Sequence, residues 1–509
     1  MKVLVLVGAL VGLALPAGVR ADVGNRSPLD IEFDALSSAI ARGDCGEGLG
    51  EARRITQRGA FRGFPEQSRG AIWTFAAVCA DRKGLYDEAL VDARNASEVP
   101  GATWGVWAFR LRAATKAKQL DDGPAAVEAL AKASPATLDA LPVSVFWQFK
   151  HDAAAAGRPE RAMRIYAALE AANYAPADVS QGGADAIWLD DAGMAADAGD
   201  ARHAAALIAR LASTGALVHA KLDGRFAAIV AADPARFDLR AAALRQLERD
   251  RADMLTRPDR LAEVMAVATD LIGLERFDEA LALDQAALDR IAKAAKGEPA
   301  FSDQEGRLAW LYESKADALT GLGRFDEALA AMRAAARTPP ATGGLNVSQM
   351  LNLADLLGTL GRPAEALATL QPLGAPGAAT DYGMAWVRAE RVCADDQLGQ
   401  ANQAAADVAW LAEHRGDNTG ARLRALICAG SADDVAAEFI AELKDPDLRD
   451  AALVRLSEFD PPAATTPVWA AELALLAAVR DRPDVRAAVA AVGHTERIPL
   501  CQCAYVDTF

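Results

Sequence analysis

The stretch from Trp310 to Pro340, WLYESKADALTGLGRFDEALAAMRAAARTPP, decides the fold. In its first half, Tyr312, Ala316 and Leu319 follow the i, i+4, i+7 spacing that places side chains on one face of a helix. Gly323 comes soon afterwards and can adopt the left-handed backbone conformation that a sharp reversal needs. The stretch therefore predicts two antiparallel helices joined by a tight turn.

The second half of the stretch predicts how this hairpin packs. Phe325 follows the turn, and Ala328, Leu329 and Met332 form one face of the second helix. Ala328 is small, so it allows two helix axes to come close, and Met332 fills the space beside it. Pro340 ends the second helix because proline cannot continue the backbone hydrogen bonds. The hairpin is therefore suited to stacking against similar hairpins.

This pattern resembles the tetratricopeptide repeat (TPR), in which small residues, a Leu-Gly turn, an aromatic residue and a closing proline recur at fixed positions. The matching residues are Ala316, Leu322, Gly323, Phe325, Ala328, Met332 and Pro340. Tyr312 and Met332 stand where the family has tryptophan and phenylalanine. The following unit matches through Leu353, Ala354, Leu357, Leu360, Gly361, Ala366 and Leu370, with Pro363 at the aromatic position.

The preceding unit carries the same pattern with two departures. It matches through Ala268, Leu271, Leu274, Phe277, Ala280 and Leu281. Glu275 replaces the glycine and Asp284 replaces a large apolar residue. Similar signatures recur at GLYDEAL, GRPERAM and GDARHAA. We predict an all-α fold, an α-solenoid of antiparallel helix pairs in a TPR-like superhelix, with a short β-like tail at the C-terminus.

Five segments follow from the irregular stretches between these patterns. Asp233-Pro234, the run GAPGAA after Leu373 and the run DPPAATTP over 460–467 mark the breaks. The segments are a signal peptide at 1–21, degenerate helical repeats at 22–234, TPR-like repeats at 235–380, further helical repeats at 381–460, and C-terminal capping helices with the tail at 461–509.

The N-terminus has the features of a secretory signal peptide. Lys2 is basic, Val3 to Leu15 is apolar, and the small residues Val19 and Ala21 precede a cleavage site. An uncleaved anchor is the alternative, although this run is short for a membrane span. The alanine- and arginine-rich composition indicates a Gram-negative bacterium, so we expect a periplasmic or secreted protein.

The net charge of −16 restricts the class of partner. Cleavage after Ala21 would remove two basic residues and make the mature chain still more acidic. Such a chain repels nucleic acids and anionic membranes. We expect no integral membrane span after cleavage, because no later stretch is apolar enough. The expected partner is a protein or peptide with a basic or apolar segment, and the sequence does not fix the oligomeric state.

The cysteine spacing predicts two disulfide bonds. Cys45 and Cys79 are 34 residues apart, and Cys393 and Cys428 are 35 apart. A TPR unit has about 34 residues, so each pair would join corresponding helix ends of neighbouring units. Buried free thiols are the alternative. Cys501 and Cys503 would point the same way on a strand, and their pairing stays open.

No catalytic constellation is evident in the sequence. It contains no GxSxG elbow, no GxxxxGK[ST] phosphate loop and no Gly-rich dinucleotide fingerprint. The five histidines have no zinc-site spacing. We therefore expect a non-enzymatic protein without a metal or another cofactor.

The resemblance implies a partner-binding groove, because the first helices of TPR units line a concave surface. The residues it places there are Met265, Thr269, Trp310, Glu313, Asp317, Leu351 and Asp355. Family members that clamp a C-terminal carboxylate use lysine and asparagine, whereas Glu313 and Asp317 are acidic. The groove should instead prefer a basic or apolar segment, unless these residues are ordinary solvated side chains.

These observations favour a periplasmic or secreted interaction scaffold that binds a peptide or partner protein. The alternative is a helical superhelix of cell-wall metabolism, as in soluble lytic transglycosylases. A structural protein without a specific ligand is a third reading.

Overall fold

The computed structural model of the protein describes residues 35–39, 42–176, 183–295, 298–341, 343–460 and 464–501. The proposed signal peptide and Cys503 lie outside these ranges. Within them the chain is almost entirely helical, which confirms the all-α prediction. Contacts between backbone positions divide the chain into two compact units, one ending at Ala198 and the other beginning at Gly199.

The first unit is a series of short helices that pack on their sequence neighbours. Residues 35–39 are helical and precede the labelled elements. These are α1 Cys45–Thr56, a 3₁₀ helix Gly59–Gly63, α2 Glu66–Arg82, α3 Tyr86–Ser97, α4 Trp104–Lys116, α5 Asp122–Ala133, α6 Pro135–Asp139, α7 Val143–Ala155, α8 Glu160–Ala171 and α9 Gly183–Asp197. Buried alanines such as Ala76, Ala89 and Ala93 allow these helices to approach closely.

The second unit begins with short helices and continues into longer pairs. Its elements are α10 Ala201–Ile208, α11 Thr214–Leu222, a 3₁₀ helix Gly224–Phe226, α12 Ala227–Ala232, α13 Leu239–Thr256, α14 Leu261–Gly273, α15 Phe277–Lys293, α16 Gln304–Gly321, α17 Phe325–Arg337, α18 Val347–Thr359, α19 Pro363–Leu370, a 3₁₀ helix Gln371–Gly374, α20 Asp381–Gln397, α21 Ala401–Glu413, α22 Thr419–Cys428, α23 Ala432–Lys444, α24 Arg449–Leu456, β1 Glu458–Asp460, α25 Pro467–Arg480, α26 Pro483–Val492 and β2 Arg497–Cys501.

The hairpin at Trp310–Pro340 forms as the sequence predicts. Ala316, Ala328 and Met332 are buried in one hydrophobic cluster with residues of the next unit. Gly323 adopts a φ of 70° at the turn between α16 and α17. In the preceding unit Glu275 takes the glycine position with a φ of 60°. A side chain in this left-handed region is strained, which is the local cost of that departure from the family pattern.

The first helices of the pairs lie next to one another along the second unit. Helix α14 contacts α16, α16 contacts α18, α18 contacts α20, and α20 contacts α22, in addition to the contacts within each pair. We call the surface formed by these five helices the first-helix face. Its side chains come from segments far apart in sequence, so it is the natural place for a composite site.

The last elements of the second unit return to its first elements. Helix α24 packs against α11, and β2 packs against α13 and α14. Gly493 lies so close to Leu222 that a Cβ there would be 2.2 Å from the Leu222 carbonyl oxygen. Lys221 forms an ion pair with Glu496 at 2.7 Å. We call residues 493–501 the C-terminal clasp, because they join the two ends of this unit.

The expected β-like tail is part of this clasp. Strand β2 pairs in parallel with β1, and Glu458 lies opposite Arg497. Residues 199–234, which the sequence analysis groups with the N-terminal repeats, belong to the second compact unit. The reason is that α11 packs against both α13 and α24. No helix of the described residues is long and apolar enough to cross a membrane.

Both cysteine pairs have the geometry of a disulfide bond. The sulfur atoms of Cys45 and Cys79 are 2.10 Å apart, and those of Cys393 and Cys428 are 2.02 Å apart. The Cα–Cα distance is 4.9 Å in each pair. The first pair joins α1 to α2, and the second joins α20 to α22, so each connects neighbouring helix pairs. Cys501 is buried at the end of β2.

Replacing Cys393 and Cys428 by alanine should lower the free energy of unfolding of the second unit. A cross-link that closes a loop of 35 residues restricts the unfolded chain, and its loss typically costs about 2–4 kcal/mol. Urea unfolding followed by circular dichroism measures the change. Non-reducing peptide mapping of the unsubstituted protein should recover the Cys45–Cys79 and Cys393–Cys428 peptides linked, and four free thiols would contradict the assignment.

Candidate partner-binding face

All seven residues proposed for the groove lie on first helices of the second unit. Met265 and Thr269 are on α14, Trp310, Glu313 and Asp317 on α16, and Leu351 and Asp355 on α18. Thr269 is exposed and Trp310 is 42% exposed. Met265 and Leu351 are partly buried and pack against hydrophobic clusters. The latter two therefore contribute mainly to packing, whereas the polar residues define the surface.

Glu313 lies at the junction of α16 and α18. Its carboxylate accepts hydrogen bonds from Gln349 Nε2 at 3.0 Å and from Asn352 Nδ2 at 2.7 Å. Burial raises its pKa, although these two bonds act in the opposite direction. Two neutral amides orient the carboxylate but leave its charge uncompensated.

Asp317 lies one helical turn after Glu313. Among the described residues no hydrogen bond to its carboxyl group is found. Burial raises its pKa well above the ordinary value, and the charges of Glu313 and Asp284 raise it further. Asp317 is therefore close to two other acids and has no cation to balance it in the described part of the chain.

Asp284 on α15 completes this group. It is fully buried, Ser314 Oγ donates a hydrogen bond to its Oδ2 at 2.9 Å, and its Oδ1 has no hydrogen-bond partner within the described ranges. Burial raises its pKa to about 7, against the opposing effects of Ser314 and Lys315. This is the position where the family pattern has a large apolar residue. We call Asp284, Glu313 and Asp317 the acidic cluster.

The acidic cluster can accommodate a positive charge from outside. Glu313 and Asp317 are partly exposed, whereas Asp284 is fully covered. An ammonium or guanidinium group would thus contact the first two carboxylates, and Asp284 would act through its charge. A buried carboxylate without a partner is costly because it has lost its hydration. A bound cation would favour the ionised forms, so its binding would release protons.

A second group of charged residues lies further along the face, around Arg424 on α22. Arg424 is buried and forms ion pairs with Asp355 at 2.7 Å, Glu472 at 2.8 Å and Glu390 at 3.6 Å. These acids come from α18, α25 and α20. Burial is the main cause that raises the pKa of Glu390, to about 8, and Asp355 raises it further. Unlike the acidic cluster, this group contains its own cation.

Of this group, only Asp355 was predicted from the sequence, and the other three residues were not. Arg424 and Asp355 are 69 residues apart, and the partners of Arg424 come from three different helices. No local spacing connects them. They come together only because the first helices pack side by side, and that packing depends on the whole repeat array.

Helix α25 covers this part of the first-helix face. It contacts α18 and α22 on the face and α23 beside it. Val468, Trp469, Leu473, Leu475 and Leu476 are partly buried, and Val479 is buried. Residues 461–509 are predicted from the sequence to form capping helices and a tail. The structure places α25 across the first helices α18 and α22.

Comparisons with known proteins support no closer assignment. No protein-family model and no curated protein matches the sequence. Among solved structures, the chain is similar to Naa15/Naa10 bound to HypK-THB, with 11% identity, a TM-score of 0.25, and coverage of 91% of this chain and 86% of that chain. The P58(IPK) TPR domain has 12% identity and a TM-score of 0.18, and the match covers 90% of this chain and 100% of that chain. The APC/C hetero-tetramer Cut9-Hcn1 has 12% identity and a TM-score of 0.20, and the match covers 91% of this chain and 96% of that chain. TM-scores this low carry no argument about function.

Replacing Asp284 by asparagine should stabilise the protein most at alkaline pH. Because folding raises the pKa of Asp284 from 3.8 to about 7, its contribution to stability is greatest below pH 3.8 and is lost as the pH rises through 7. Asparagine carries no charge and keeps an acceptor for Ser314. We expect the free energy of unfolding to increase by roughly 2–4 kcal/mol at pH 8, and by much less at pH 4.

Urea unfolding at several pH values measures this effect. Asp289→Asn, on an exposed position of the same helix, is the matched control and should show no such pH-dependent gain. Equal gains for Asp284→Asn at pH 4 and pH 8 would contradict the explanation. Lys315 and Asp317 are the charged groups that interact with Asp284. Both are present in the variant and in the unsubstituted protein, so the difference in the free energy of unfolding between the two proteins isolates the effect of Asp284.

Proposed function

We propose that the protein is a non-enzymatic interaction scaffold whose first-helix face binds a basic segment of a peptide or partner protein. The observation that carries this proposal is the acidic cluster. Its three carboxylates are buried or partly buried, and no ion pair with any of them is found in the described ranges. A positively charged side chain from a partner supplies what the cluster lacks.

The surroundings of the cluster indicate what flanks that basic side chain. Trp310, one turn before Glu313, is 42% exposed, and an exposed indole ring packs well against apolar side chains or a cationic group. Gln349 and Asn352 hold Glu313 in place before a ligand arrives, which reduces the entropic cost of binding. The ligand that fits best has one lysine or arginine next to an apolar residue.

Peptide binding with matched variants tests this proposal. A labelled peptide with a central lysine beside leucine is compared with the same peptide carrying glutamine. We expect the lysine peptide to bind the unsubstituted protein at least about tenfold more tightly, which corresponds to about 1.4 kcal/mol. Its affinity should rise with pH, because burial raises the pKa of all three carboxyl groups and the cluster therefore releases protons on binding.

Glu313→Gln with Asp317→Asn removes two charges with little change in shape and should abolish the preference for lysine. Glu313→Lys with Asp317→Lys should repel the lysine peptide. Asp278→Lys with Asp326→Lys makes the same charge change at exposed positions of the second helices α15 and α17 and should leave binding unchanged. Fluorescence anisotropy gives the affinities, and thermal unfolding checks that each variant is folded. An unchanged lysine preference in the Gln/Asn variant would reject the proposal.

We further propose that the protein acts outside the cytoplasm after removal of residues 1–21. The basic start at Lys2, the apolar run and the small residues before Asp22 support this. N-terminal sequencing of the exported protein should begin at Asp22. Ala21→Tyr places a large side chain at the cleavage site and should leave the precursor unprocessed. An intact, membrane-bound precursor in the unsubstituted protein would favour the uncleaved anchor instead.

A further inference from the structure

Helix α25 buries a smaller share of its residues than helices α23 and α26 do. All 14 of its residues lie in the described part of the chain, and only Val479 is buried. Helix α23 before it buries Val435, Ala436, Phe439 and Leu443 among others. Strand β2 after it buries Ile498 and Leu500. Segments with little buried apolar area open at a lower free-energy cost than the core, so we expect α25 to open more easily than α23 and β2.

Helix α25 has two polar attachments, an ion pair to the face and, at its last residue, a hydrogen bond that Arg480 Nη1 donates to the Leu456 carbonyl oxygen at 3.4 Å. Glu472 contacts Arg424 at 2.8 Å, in a site where Arg424 has a side-chain exposure of 5%. Arg424 also keeps Asp355 at 2.7 Å and Glu390 at 3.6 Å. If α25 leaves, Arg424 is therefore still paired, and Glu472 regains its hydration. Departure of α25 leaves no buried charge alone, which is the usual large penalty for breaking a buried ion pair.

The surroundings of α25 are connected firmly enough to survive its release. Strand β1 before it pairs with β2 after it, and Arg497 bonds to Asp460 at 2.8 Å. Helix α26, which follows α25 directly, packs on α23. These contacts do not pass through α25. The helix can therefore detach while the C-terminal clasp keeps the two ends of the unit joined.

We propose that α25 is an internal ligand of the first-helix face, which a partner helix of the same chemistry replaces. That partner is an amphipathic helix with a stripe of aliphatic and aromatic side chains and one carboxylate that pairs with Arg424. The site lies on α18 and α22, apart from the acidic cluster on α15 and α16. The inference goes beyond the proposed function, because it does not depend on a basic ligand at that cluster.

Occupation by α25 sets the affinity for such a partner. A partner must compete with a helix that is tethered to the same face, so its apparent affinity falls in proportion to the fraction of molecules in which α25 has left. A substitution that weakens the attachment of α25 without altering the first-helix face should therefore increase the affinity of that face for a separate partner helix. The chain's own sequence supplies the probe, because α25 already fits the site.

Glu472→Lys in the full-length chain is the test substitution. It places a lysine against Arg424 and should detach α25. Deuterium uptake in residues 467–480 should become at least about tenfold faster, since exchange reports local opening. Asp481→Lys makes the same charge change at the exposed end of the same helix and should leave exchange unchanged. Glu472→Gln, a milder change, gives the same readout if the lysine variant is poorly folded.

A labelled synthetic peptide of residues 464–482 then probes the vacated face. It should bind the Glu472→Lys chain at least tenfold more tightly than the unsubstituted chain, and the peptide carrying Glu472→Lys should not bind. Equal exchange in the Glu472→Lys and Asp481→Lys chains would overturn the proposal. So would failure of the unsubstituted peptide to bind a Glu472→Lys or Glu472→Gln chain whose circular dichroism spectrum is unchanged. Neither result would bear on lysine-peptide binding at the acidic cluster.

Discussion

The close approach of helix axes at buried alanines is the constraint on which the second unit depends. Ala316, Ala328 and Ala354 are almost completely buried, and a larger side chain at any of them would push two helices apart. Because each hairpin nests against the next, consecutive first helices lie side by side. Polar side chains on neighbouring first helices therefore lie close to one another. Both charged groups of the first-helix face are consequences of this packing.

Local patterns were enough to predict the hairpins and the cysteine pairs. Gly323 marks a turn by its neighbours in sequence, and Cys393 lies one repeat from Cys428, so the repeat length alone brings them together. The same reasoning could not find Arg424, because its ion pairs cross 69 residues to Asp355 and reach Glu472 on α25. It also could not show that α25 lies on the first-helix face. An amphipathic helix at the end of a repeat array has the same sequence pattern whether it caps the last repeat or lies across the first helices.

Departures from the family pattern were more informative than the matches. Asp284 stands at an apolar position of the family pattern, and in the sequence alone it is only a departure from that pattern. In the structure it is fully buried beside Asp317, and its pKa is raised to about 7. A buried carboxyl group with a strongly raised pKa is a candidate for a functional role. Glu275, strained at the turn of the same unit, shows that this unit as a whole is less regular than its neighbours.

The joined ends of the second unit have a consequence for how it unfolds. A linear stack of hairpins can fray from either terminus, since each outer repeat is held by a single neighbour. Here Lys221 on α11 forms an ion pair with Glu496 in the C-terminal clasp, so the last elements of the unit are not free to peel away. Unfolding from this end has to begin with separation of the C-terminal clasp from α11, after which the hairpins can unfold one after another. The unit is thus expected to resist exoproteases and mechanical pulling until the C-terminal clasp separates from α11.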